Sequence, residues 1–203
     1  MEPGLPARNP ICAVGADATP PPPEVSTEIL LAGLAMLVPL PLLDEYCHQL
    51  FVRAALRKLP VGPDDAAMKT LTEDRTPMWL GCLYMVTIWP LKKLFRVALF
   101  FLTVKDVIDA TARAALRVRM VELAWAGPSG EPEAVRRHME AVLSRHEISP
   151  VMRWIFRHAR PPLHAAAPAA TQARLVHFAM QHAGGALVLP AFAARLEDRC
   201  SPS

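Results

Sequence analysis

From Leu91 to Trp125 the chain contains neither glycine nor proline, and this constrains its fold more than any other feature. Leu94, Val97, Phe101, Val104 and Ile108 recur at steps of three and four, the repeat of one helical face. Asp106, Asp109, Arg113 and Arg117 make a polar stripe further on, with Asp109 and Arg113 spaced as a favourable i,i+4 pair. One helix over these residues would be about 50 Å long, so it needs a partner along its length or two environments.

The rest of the sequence fits around such a helix. Strand signals are almost absent: no alternating β-branched runs, no Asn-Gly or Asp-Gly turn. The fold class is therefore all-α. Hydrophobic residues make up 52% of the 203 and charged residues 20%, which is ample material for a core and excludes disorder of the whole chain. The net charge of +3 excludes a histone-like polycation, so any affinity for anions must come from local patches.

Proline sets the boundaries. Residues 1–24 read as a disordered, proline-rich tail and lack the basic start and long apolar run of a secretory leader. A first helix starts near Ser26–Thr27 and stops at Pro39. Pro41 opens a second, with Asp44 and Glu45 in its first turn favouring the helix dipole. Its apolar side is expected to be Leu43, Cys47, Leu50 and Ala54, with Asp44, His48, Arg53 and Arg57 opposite. A short helix capped by Asp64 or Asp65 follows.

The sequence divides into an apolar helical region over 25–125, a linker at 126–133 ("AGPSGEPE") and a smaller basic helical region over 134–198. From the end of the linker onward, one helix has Pro132 in its first turn, Ser149 caps another, and a helix from Thr171 ends at Gly184–Gly185, leaving a short piece from Pro190.

Two apolar runs raise the question of lipid, Ile29–Leu43 and Met78–Leu91. Each is shorter than the roughly 20 residues that a helix needs to cross about 30 Å of hydrocarbon. Extending the second through Val104 would bring in Lys92, Lys93 and Arg96, at about 2.5–3.5 kcal/mol each at a helix centre. Interfacial insertion of segments 29–43 and 78–104 is the alternative. Trp79, Tyr84 and Trp89 suit headgroup depth; Phe95, Phe100 and Phe101 would enter the acyl boundary while Lys92, Lys93 and Arg96 snorkel. The same runs would equally serve as the centre of a helical bundle.

Chemistry-bearing clusters are few. Asp44, Glu45 and His48 can share a helix face, but a di-metal bundle repeats the Glu-x-x-His step and adds carboxylates, and no second copy exists. An acidic first turn with a partly exposed histidine is expected instead. His138, His146, His158, His164, His177 and His182 stand in no ligand motif and are expected to be solvated or capping. Cys12, Cys47, Cys82 and Cys200 lack any close pairing, as reduced thiols would. No phosphate-cradling or nucleophile-elbow motif is present. Arg153, Arg157 and Arg160 lie on one helix face, which reads first as a solvated basic face and next as a contact for an anionic lipid or acidic partner; nucleic acid comes last, since that face lacks base-reading side chains.

These features lead to the expectation of a non-enzymatic protein with no cofactor or metal. It would sit on the cytoplasmic face of a membrane, peripheral or shallowly inserted, and act as a scaffold that presents its C-terminal helices to a protein partner. The alternative is a soluble, cytoplasmic all-α interaction module.

Overall fold

The computed structural model describes residues 21–37, 43–72, 98–126, 131–146, 148–150 and 170–200. Seven α-helices and no strands are found among them, as the periodicity predicts. They are α1 (Ser26–Leu34), α2 (Leu43–Arg57), α3 (Asp65–Thr72), α4 (Ala98–Ala126), α5 (Pro132–Arg145), α6 (Thr171–His182) and α7 (Gly185–Cys200). Short 3-10 turns at Pro23–Val25 and Ala35–Leu37 flank α1.

The long helix is the axis of the molecule. Over its 29 residues α4 rises about 44 Å, and it packs against α1, α2, α5, α6 and α7. Ala112, Ala114, Ala115, Leu116, Val118 and Met120 have no exposed surface, so this stretch is enclosed on nearly every side. That enclosure is why a helix so rich in alanine and valine is stable: neighbours bury most of its circumference. One hydrophobic cluster joins it to Val25, Ile29 and Leu56 from the first part of the chain and to Val135, Met139, Met180 and Phe192 from the last.

α1 and α2 form an antiparallel pair. Lys58 forms an ion pair with Glu28 at one end, while His48 meets Ala32 further along. α1 also comes very close to α4 at Gly33. A Cβ there would overlap Thr111 Oγ1 and lie 3.0 Å from both Thr111 Cβ and the Val107 carbonyl oxygen. Only glycine permits this approach.

Several boundaries follow the sequence. Asp64 Oδ1 accepts the Ala67 N–H at 2.9 Å, a side-chain cap on the first turn of α3. Pro132 occupies the first position of α5. Gly184, with φ at 78°, ends the run from α6 in the left-handed conformation.

Four expectations need correction. α2 faces the core with His48, Val52, Ala55 and Leu56, while Leu43 and Leu50 are exposed and Cys47 and Ala54 half-buried. Its sequence carries two apolar stripes, and the core takes the one that includes a histidine with a hydrogen-bond partner. Asp109 pairs with Lys105, not Arg113. His177 is buried instead of solvated or capping. Gly185 starts α7 instead of ending α6, and Pro190 lies inside that helix. Val188, Leu189 and Phe192 around it are fully buried, and their packing offsets the roughly 3 kcal/mol that an interior proline costs.

Candidate functional site

Two surfaces stand out among the described residues. One is the outer side of the α1–α2 pair. Because α1 sends Ile29, Ala32 and Gly33 inward, Leu31 and Leu34 point out, followed by Leu37 in the next turn. Inward Val52, Ala55 and Leu56 likewise turn Leu43, Tyr46 and Leu50 of α2 outward. These six side chains are between 37% and 61% exposed, in only twenty residues of sequence. The run Ile29–Leu43 is thus divided, one side in the core and one side at the surface.

The charges along this pair are sorted. α2 has Asp44 and Glu45 in its first turn and Arg53 and Arg57 towards its far end, with Lys58 just beyond. Over residues 21–72 the acids are Glu24, Glu28, Asp44, Glu45, Asp64 and Asp65, against Arg53, Arg57, Lys58 and Lys69. Six minus four leaves a net charge of −2. The exposed Arg57–Asp65 pair at 3.0 Å is of the kind that contributes little.

The second surface is a cleft of about 280 Å³ where the turn after α1, α2 and the middle of α4 meet. Met36, Glu45, His48, Lys105, Asp106, Asp109, Ala110, Arg113 and Arg117 line it. His48 is 5% exposed, and its Nδ1 lies 2.9 Å from the Ala32 carbonyl oxygen. A carbonyl can only accept, so Nδ1 carries a proton, and in the neutral form of such a ring the lone pair is at Nε2. Asp109, also buried, takes Lys105 Nζ at 2.6 Å on Oδ2 and the Ser149 hydroxyl at 2.8 Å on Oδ1. Glu45 Oε1 accepts Gln49 Nε2 at 3.0 Å. Asp44 stays out of the cleft and caps its own turn, Oδ1 accepting the Glu45 N–H at 2.8 Å.

The histidine of the Asp44/Glu45/His48 group is therefore not partly exposed: it is bonded to Ala32 of α1 and shares the cleft with residues of α4. No group of three or more potential ligands in the described residues could hold a metal ion. Of the remaining described histidines, His146 and His182 donate from Nδ1 to carbonyl oxygens one turn back, at 2.9 Å each, as capping residues. His177 alone has a buried Nδ1 without a partner, and burial lowers its pKa. The Cys47 thiol is free.

Trp79, Tyr84, Trp89, Lys92, Lys93, Phe95 and Arg96, expected at a membrane interface, lie outside the described residues, as do Arg153, Arg157 and Arg160. Phe100 and Phe101 fall in the first turn of α4, with side chains outside the described ones. No single described helix is long and apolar enough to cross a membrane. α6 with residues 185–196 of α7 passes by length and composition only as a pair bent by 75°, and its inner side is in the core. Comparison with protein-family models, curated proteins and solved structures finds no match for this chain.

Proposed function

We propose that this protein is a non-enzymatic helical scaffold that docks through the outer side of α1 and α2. The observation that carries this reading is the set of six exposed apolar side chains on one packed helix pair. Patches of this kind on a folded protein mark interaction surfaces. Two side-by-side helices offer a groove between ridges in which further helices pack.

The occupant favoured by the charges is a second copy of the chain. Laid antiparallel across a twofold axis, the acidic first turn of one α2 meets the basic end of the other, with Tyr46 and Leu50 between them. The net charge of −2 over residues 21–72 speaks against anionic headgroups as the occupant of this surface.

The test is sedimentation equilibrium of the wild type and of Leu34→Glu and Leu50→Glu, run beside flotation on neutral and anionic vesicles. Dimerisation at micromolar concentration, weakened at least about tenfold by either substitution, supports the reading. A strictly monomeric wild type overturns it. Flotation abolished by the same substitutions would assign this surface to lipid, in line with a peripheral membrane protein.

A further inference from the structure

Within the cleft, the pairing of charges is uneven. Lys105 and Asp109 neutralise each other, and Asp109 is further held by Ser149. Asp106 and Arg113, both exposed, have no ion-pair partner among the described residues. They lie seven residues apart on α4, which is about 10 Å along the helix. A carboxylate and a guanidinium, neither of them paired within the described residues, thus line one cavity.

Between these ends the lining changes character. Met36 and Ala110 are apolar, and His48 is a buried imidazole whose Nδ1 is committed to Ala32. Its Nε2 is the ring nitrogen left to face the cleft, as a hydrogen-bond acceptor.

We infer that this cleft binds a small zwitterion, with its ammonium group at Asp106 and its carboxylate at Arg113. Two residues two helical turns apart suit a ligand whose own charges are separated by a few methylenes or one peptide unit, each end taking charge-assisted hydrogen bonds. An ω-amino acid of three or four methylenes, or a dipeptide, has that separation; a metal ion or a dianion does not match the lining. The methylene chain would lie on Met36 and Ala110. Nε2 of His48 would accept from the ammonium or from a peptide N–H, and Glu45 adds negative charge on the same wall. A cavity of about 280 Å³ accommodates a molecule of this size.

The experiment is an NMR titration with 4-aminobutanoate, 5-aminopentanoate and glycylglycine, following the Ala110 amide and the His48 ring. The N-acetylated and C-amidated forms of each probe serve as controls. Arg113→Gln and Asp106→Asn change exposed side chains, so thermal melts should confirm that both variants remain folded. Saturable shifts are expected with at least one probe, weakened about tenfold or more by either substitution and by blocking either charged end. Shifts that stay linear to roughly 20 mM for every probe would overturn the inference. So would equal binding by wild type and variants. Binding that depends on Arg113 but not on Asp106 would replace the zwitterion site with a simple anion site.

Discussion

The imidazole of His48 donates from Nδ1 to the carbonyl oxygen of Ala32, 2.9 Å away, and so ties the middle of α2 to the last turn of α1. Carbonyls in the last turn of a helix lack the regular intrahelical partner, so a side-chain donor there replaces water. Changing His48 to Phe keeps the volume and removes the donor. The expected loss is about 1–3 kcal/mol in urea unfolding, the cost of stranding a buried acceptor. An unchanged midpoint would mean that the carbonyl finds another partner.

This contact also marks the limit of what the sequence reveals. The helices themselves are legible, because Pro132, Asp64 and Gly184 act on their own turns. Which side of α2 is inward is not legible from a single helix. Leu43, Cys47 and Leu50 form as good an apolar stripe as Val52, Ala55 and Leu56, and His48 looks polar until a carbonyl sixteen residues earlier satisfies it. Glu45 and His48 can be placed on one helical face by counting, but that they share a cleft with Asp106 and Arg113 depends on how α2 meets α4. Asp109 likewise has two candidate partners one turn away, and the buried Ser149 hydroxyl helps to hold it on the Lys105 side.

Gly33 and Thr111 give the sharpest packing test. A Gly33→Ala methyl must push α1 away from α4 or displace Thr111, with an expected loss of about 1–3 kcal/mol. Adding Thr111→Ala removes Oγ1, the nearest obstacle, while the Val107 carbonyl oxygen stays 3.0 Å from the new methyl. The double variant should therefore regain part of the loss but not all. Additive losses in a double-mutant cycle would show that the two sites do not share this contact.

Arg136 on α5 is the buried member of a cluster whose carboxylates are closer to water. Its guanidinium reaches Glu133 at 2.6 Å and Glu140 at 2.5 Å; the arginine side chain is 7% exposed and the Glu140 side chain 51%. The hydrogen bond to Glu133 is the main reason its pKa is raised, against the burial that lowers it. Arg136→Met frees two carboxylates that can rehydrate, so it should cost only about 1–2 kcal/mol. Glu133→Ala with Glu140→Ala strands a buried charge and should cost more, about 3 kcal/mol. The reverse order in chemical denaturation would mean that the arginine stem acts mainly through packing.

His177 on α6 should make the fold acid-sensitive. It is buried, its Nδ1 has no partner, and burial lowers its pKa below the ordinary value of about 6.5. In the unfolded chain the ring takes up a proton near that ordinary value, while in the fold it resists. The unfolded state therefore binds more protons as pH falls below about 6.5, and stability drops from there towards the lower folded pKa. Above about pH 7 the two states bind alike and the effect is absent. His177→Leu removes the titrating ring, so its unfolding free energy should fall less steeply between about pH 7 and pH 5 than that of the wild type. Urea melts across that range provide the comparison, and parallel curves would show that the ring is protonated equally in both states.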